Sequence, residues 1–251
     1  YSFPDSMSTI TGFSGPFLMT QQNGIWSSAS LTNLVIENNT WSSHSRSSYN
    51  SHLEQLYLSD KLELKQELVF SSGHTAMIKS TLKNTSKQTQ TYTYHFKNDP
   101  LMADGLTLSS SNNKLTIISS KTDAIGHIIF PKDLVLSATD STYVSNKISI
   151  ELKSNETKEF TISQTFIFKE YSWNDEQKAI TDAPFQIILE NRKSGKNTQL
   201  QSLIENRKSN FQENIYAGVL AKAQLTLQNN WRIPAGEIKH EGLFPSYHYK
   251  W

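Results

Sequence analysis

The sequence predicts a mainly β fold, an antiparallel super-β-sandwich followed by a C-terminal helical segment, and three observations lead to it. From Pro16 to about Glu170 apolar residues recur with a period of two, turn-forming clusters separate the runs, and no helical pattern intervenes. Beyond Trp173 the period becomes helical. Strands first and helices afterwards imply two parts rather than an interleaved α/β sheet.

The strand runs are explicit. Leu62, Leu64, Leu68 and Phe70 alternate with Lys61, Glu63, Lys65 and Glu67, and Tyr92, Tyr94 and Phe96 alternate with Thr91, Thr93, His95 and Lys97. Phe160, Ile162, Phe166 and Phe168 alternate with Glu159, Thr161, Ser163 and Thr165 in the longest run. Each such run buries one face and wets the other. Gln66 and Gln164 interrupt their apolar faces, either as buried, hydrogen-bonded amides or as places where the face opens to water. Clusters such as Ser59-Asp-Lys61, Ser71-Ser-Gly73, Asn98-Asp-Pro100 and Lys153-Ser-Asn-Glu156 supply the turns.

The helical part opens at Asp182-Ala-Pro184, read as an acidic cap with a proline in the first turn, and continues through Phe185, Ile188 and Leu189 to a stop at Ser194-Gly195. Leu200, Leu203 and Ile204 give a second stripe. A third contains Ile215, Val219, Ala223, Leu227 and Trp231, with Tyr216 and Leu220 on the neighbouring row. It packs back on the sandwich or belongs to a larger helical domain. The chain divides into a β-sandwich over 1–172, a helical linker over 173–210, and a last helix with its following loop over 211–251.

Composition narrows the function. At 251 residues the chain can bury roughly three quarters of its unfolded surface. Its 24 basic and 23 acidic residues are spread without blocks, so no footprint for nucleic acid or an anionic membrane is visible. No apolar run approaches the roughly 20 residues that span a bilayer. With no cysteine, neither disulfides nor thiolate metal sites arise. Asn38, Asn84 and Asn155 each open a glycosylation acceptor pattern, although a chain this rich in Ser, Thr and Asn yields such matches by chance.

No phosphate loop, Gly-x-Ser-x-Gly elbow or His-Glu-x-x-His is present, and no cofactor is expected. The seven histidines show no paired ligand spacing, so the expectation is no metal, and any metal site would have to be assembled by the fold. Asp99, Asp104, Asp140 and Glu159 fall on turns or polar strand faces and read as solvated surface. The tail holds the candidate binding residues: Phe244, Tyr247, Tyr249, Lys250 and Trp251, with His248 among them, crowd aromatic and cationic groups of the kind that stack on sugar rings and bind their hydroxyls. The competing reading makes them ordinary core and linker contacts. Trp26, Trp41 and Trp173 read as packing residues, and Trp231 with Arg232 as a fastening for the helix end.

Three segments together resemble glycoside hydrolase family 63. They are Phe3-Pro-Asp5 with Gly12-Phe-Ser-Gly-Pro-Phe-Leu-Met-Thr20; Ala183-Pro-Phe185; and Ala221-Lys-Ala-Gln-Leu-Thr-Leu-Gln-Asn-Asn-Trp-Arg-Ile-Pro-Ala-Gly-Glu-Ile-Lys239, continuing to Phe244-Pro-Ser246 and Lys250-Trp251. The resemblance implies an N-terminal super-β-sandwich, a helical linker and then an (α/α)6 barrel, which inverts α-glucosidic bonds in oligosaccharides with two carboxyls about 6.5 to 9.5 Å apart. The positions carrying those carboxyls have no match in this chain, so the expectation is a front part truncated before the barrel, without catalytic residues of its own. Its partners would be the oligosaccharide substrate and its own barrel, and a periplasmic or secreted bacterial location is favoured. Lys250 stands where many relatives have Arg, which keeps the charge but loses the bidentate fork. Two other readings remain: a free-standing carbohydrate-binding β-sandwich module, and the front part of a related sandwich-plus-barrel phosphorylase or trehalase.

Overall fold

The computed structural model describes residues 1–5, 10–20, 24–182, 184–234 and 239–243. The strands are β1 (Leu18–Thr20), β2 (Gly24–Trp26), β3 (Asn33–Ile36), β4 (Ser43–Ser48), β5 (Leu53–Leu58), β6 (Leu62–Phe70), β7 (Thr75–Asn84) and β8 (Gln90–Lys97). They continue with β9 (Leu106–Ser111), β10 (Lys114–Ser119), β11 (Ile125–Ile129), β12 (Leu136–Ala138), β13 (Tyr143–Ser145), β14 (Ile148–Leu152) and β15 (Thr157–Ile167). Helices α1 (Trp173–Asp182), α2 (Phe185–Glu205) and α3 (Asn214–Asn229) follow, and then the two-residue strands β16 (Trp231–Arg232) and β17 (Gly242–Leu243). Apart from the short β16 and β17, the strands precede the helices, as the periodicity requires.

Eight strands form the larger antiparallel sheet, in the order β4-β5-β6-β7-β15-β11-β10-β9. In the smaller sheet β8 is central: β3 takes one edge, while β14 and, at Lys97, β13 take the other. The two sheets close on a core of Trp26, Leu34, Leu64, Leu82, Tyr94, Phe96, Leu115, Ile117, Ile128, Phe160 and Ile162. Tyr94 and Phe96 reach it because they alternate with Thr93 and His95 along one strand. Trp26 is fully buried and Trp41 packs half-buried beside Tyr57, so both are packing residues.

Both interrupting glutamines are buried and hydrogen-bonded. Gln66 Oε1 accepts from Gly12 N at 2.7 Å and from Gln55 Nε2 at 3.2 Å, and its Nε2 donates to Ser80 Oγ at 2.9 Å. Gln164 accepts from Tyr1 Oη at 2.8 Å and donates to Thr32 Oγ1 at 3.1 Å. These amides replace water for the N-terminal segment that lies over this end of the inner face, and their pairing removes the cost of burying them. Phe13, Leu68, Ala76 and Ile78 form a second small core under the same segment.

The outer face departs from the sequence reading. Strict alternation left Glu67 in water, yet Glu67 is 4% exposed, and Val69 and Met77 on the same face are buried under Phe185 and Leu189 of α2. A second layer covers this face, and strand periodicity carries no sign of it. Phe70, expected in the core, is 37% exposed at the end of β6. The helical boundaries shift too. Pro184, rather than Asp182, occupies the cap position of α2 without any side-chain cap bond, and its carbonyl accepts from Ile187 N and Ile188 N. Gly195 does not end the element, for α2 runs through it to Glu205. A helix-interior glycine costs only about 1 kcal/mol, and the twenty-one-residue helix absorbs it. Asn84 is fully buried, its Nδ2 held by the carbonyls of Gln88 and Leu152, which removes it as a glycan acceptor.

Candidate functional site

The side chains that converge most densely lie at one corner of the larger sheet, where the β6–β7 turn meets α1 and the segment after α3. The turn is built by Ser72: its Oγ accepts from the backbone N–H of His74 and of Thr75, each at 3.0 Å. The same hydroxyl donates to Glu176 Oε2 at 2.8 Å, and Thr75 Oγ1 donates to that oxygen at 2.6 Å. With its proton committed, Thr75 Oγ1 accepts from Thr165 Oγ1 at 2.7 Å across the β7–β15 pair. Glu176 thus fastens the first turn of α1 to the sheet.

Two further contacts complete the corner. The His74 and Tyr171 rings lie 3.9 Å apart at 48°, and Tyr171 Oη donates to the carbonyl of Pro234. Burial holds the His74 imidazole below the usual histidine range, with the Glu176 carboxylate opposing. Gly73 lets the turn approach the tail closely, since a Cβ there would stand 2.4 Å from Ile233 Cδ1. Beyond this point Lys239 pairs with Glu170 at 3.8 Å. Residues 231–234 are therefore clasped onto the sandwich between a histidine, a tyrosine and a glycine turn.

Alongside, Trp173 seats the start of α1. Its ring lies 4.3 Å from His127 on one strand, and Lys114 Nζ stands 4.6 Å from the ring on the next. Burial, then Lys114, pushes His127 down to about 4. Trp173 is a packing residue, as expected.

The corner is a joint in chemical character. Glu176 Oε2 is committed to two hydroxyls, and acid–base hydrolysis of a glycoside needs a second, separately tuned carboxyl facing it. Of the other carboxylates weighed from the sequence, Glu159, Asp104 and Asp140 are exposed, while Asp99 is half-buried with Oδ2 lacking a donor, and burial raises its pKa. Trp231 and Arg232 fasten a short hairpin rather than the helix end: they pair with Leu243 and Gly242, and Trp231 Nε1 donates to Glu241 at 3.2 Å.

The sequence-derived binding residues Phe244, Tyr247, Tyr249, Lys250 and Trp251 lie outside the described residues, as does His248. None of His74, Thr75, Thr165, Tyr171 and Glu176 stood out in the sequence. Their partners are up to 104 residues away, and the only local signal was the turn-forming Ser71-Ser-Gly73.

The third helical stripe also has its place. α3 packs on α2 and leaves Ile215, Val219 and Leu227 at 69%, 60% and 54% exposure, in a shallow apolar groove with Gly218, Ala223 and the stem of Lys222. The sandwich does not cover this row. Among the described residues no helix is long and apolar enough to cross a membrane.

The fold and this corner define a two-sheet antiparallel β-domain that carries a helical extension. No family model matches the chain, and no curated protein matches it. Among solved structures it is similar to a protein of Escherichia coli K12 provisionally described as an aldose 1-epimerase, at 10% identity and TM-score 0.40 over 62% of this chain and 83% of that one. It is also similar to a heparan sulfate lyase of Pedobacter heparinus, at 12% identity and TM-score 0.37 over 55% of this chain; the match spans only 24% of the lyase. At these values the likeness assigns neither a family nor a chemistry to this chain.

Proposed function

We propose that this chain is the non-catalytic front part of a family 63-like α-glycosidase, supplying the scaffold, the linker and one rim of the sugar pocket. The observation that carries this reading is the uncovered apolar row of α3, Ile215, Val219 and Leu227, on a helix that the sandwich leaves alone. A free-standing binding module has no need of it, whereas a helix that begins a second, all-helical domain does. The order of sandwich, linker helices and last helix agrees with what the resemblance implies. The clasp of residues 231–234 at the His74–Tyr171 corner supports the rim assignment, because the segment with Phe244, Tyr247, Tyr249, Lys250 and Trp251 follows from it.

The test compares this chain with a version extended through the following several hundred codons of its gene, on α-linked glucosyl disaccharides. Hydrolysis by the extended protein alone, with inversion at the anomeric carbon, is the expected result. Sugar binding without turnover in both proteins would favour a carbohydrate-binding module instead.

A further inference from the structure

On the outer face of the larger sheet, away from the corner, three metal-ligating side chains meet. The ring of His52, just before β5, and the carboxylates of Glu54 and Glu67 place one donor atom each within 4.8 Å of one another. Glu54 and Glu67 are directly opposed across the β5–β6 pair. Two carboxylates in register repel unless a cation lies between them. Here the cation is Lys65, whose Nζ is 3.0 Å from Glu54 Oε2 and 3.0 Å from Glu67 Oε1.

His52 gives the cluster a character that an acidic pair lacks. It is 7% exposed, its Nδ1 is engaged with Ser51 Oγ at 3.0 Å, and its ring is stacked on Tyr49 at 4.5 Å. One ring nitrogen is thus held by a hydroxyl and the plane is fixed by stacking, while Nε2 has no hydrogen-bond partner among the described residues. Orientation of an imidazole through its second nitrogen is how metal-binding histidines are held.

We infer that His52, Glu54 and Glu67 form a divalent cation site, selective for zinc, in which the Lys65 ammonium stands where the ion would sit. One imidazole nitrogen and two carboxylate oxygens suit Zn²⁺ better than the all-oxygen preference of Mg²⁺ or Ca²⁺. Lys65 is able to leave, since its side chain is 37% exposed on a flexible stem. Lys79 need not move: it lies 3.7 Å from Glu67 Oε2, the oxygen that Lys65 does not use. Exchange of the Lys65 ammonium for a dication adds one positive charge beside the two carboxylates, and the donors, now within 4.8 Å of one another, would have to close to about 2.0 to 2.2 Å from a common centre.

The test is calorimetric titration of the tag-free, chelator-stripped 251-residue chain with zinc chloride, then magnesium chloride and calcium chloride, with melting curves alongside. One zinc per chain and a raised melting temperature are expected, with no comparable response to magnesium or calcium. Glu54→Gln, at a partly exposed position, and His52→Ala should each weaken zinc by about tenfold or more, and Lys65→Met should tighten it. Should His52→Ala not fold, Glu54→Gln decides. No binding by the unmodified chain overturns the site, as does zinc affinity that Glu54→Gln leaves unchanged.

Discussion

Thr75 Oγ1 donates a hydrogen bond to Glu176 over 2.6 Å while accepting one from Thr165 at 2.7 Å, so one buried threonine joins β7, β15 and α1. Thr75 and Thr165 are both fully buried, and neither hydroxyl has water to fall back on. Thr75→Val keeps the shape, strands the Thr165 hydroxyl and leaves Glu176 Oε2 with Ser72 as its one hydroxyl donor. A loss of about 1 to 3 kcal/mol is expected, read as a lowered denaturation midpoint, with Thr75→Ser close to the parent. An unchanged midpoint for the valine variant would show that the chain of hydroxyls carries no stability.

Gln66 makes a parallel case inside the sandwich. Gln66→Leu removes the acceptor of Gly12 N and the donor to Ser80, both buried. Roughly 2 kcal/mol or more should be lost, and protection of the Gly12 amide against hydrogen exchange should fall with it. Gly12 protection equal to that of the parent would contradict the assignment.

The Tyr171 bond to Pro234 is the clasp on the tail. Tyr171→Phe should speed hydrogen exchange and proteolysis at residues 231–234 while the sandwich melts as before. Loss of stability throughout the sandwich would make Tyr171 a core residue instead of a clasp.

Acid should weaken the fold through His127. Its pKa falls from 6.5 to about 4 on folding, so the folded state binds the proton less readily than the unfolded chain does. The stability this contributes is fully present above about pH 6.5 and is lost as pH falls through about 4. His44, His52, His74 and His95 are lowered in the same direction and add to the slope. His127→Gln should flatten the pH dependence of the melting temperature across this window. A slope as steep as the parent's would show that His127 does not supply it.

Exposure of the α3 row predicts self-association at high concentration, with Val219→Glu restoring a single small species on sedimentation. A strictly monomeric elution profile of the parent chain would contradict this.

Much of the fold was legible because period-two alternation records which face of a strand is buried: Leu64 and Tyr94 were placed in the core from their neighbours alone. The burial of Gln66 and Gln164 could be posed as a question, since a polar residue on an apolar face needs a partner. Glu67 could not be read, because the helix that packs on Val69 and Met77 of its face lies more than a hundred residues away and leaves no mark on the β6 pattern. Gly195 misled for the opposite reason: a breaker by propensity, it sits in a helix long enough to carry it. The corner of Ser72, Thr75, Thr165 and Glu176 is assembled entirely by topology. Ordinary serines, threonines and glutamates give no sign of such a meeting.

The central pairing of the larger sheet has a temporal side. β7 joins β15 through nine residue pairs that link segments as far apart as Thr75 and Thr165, 90 residues along the chain. During synthesis β6 and β7 can zip as a hairpin early, but the free side of β7 must then wait for all the strands in between to emerge. Until β15 arrives the nascent chain carries an open, sticky edge, so closure of the sheet should be late and slow relative to hairpin formation. Conditions that lengthen this interval should lower the yield of folded protein without altering the stability of what has folded.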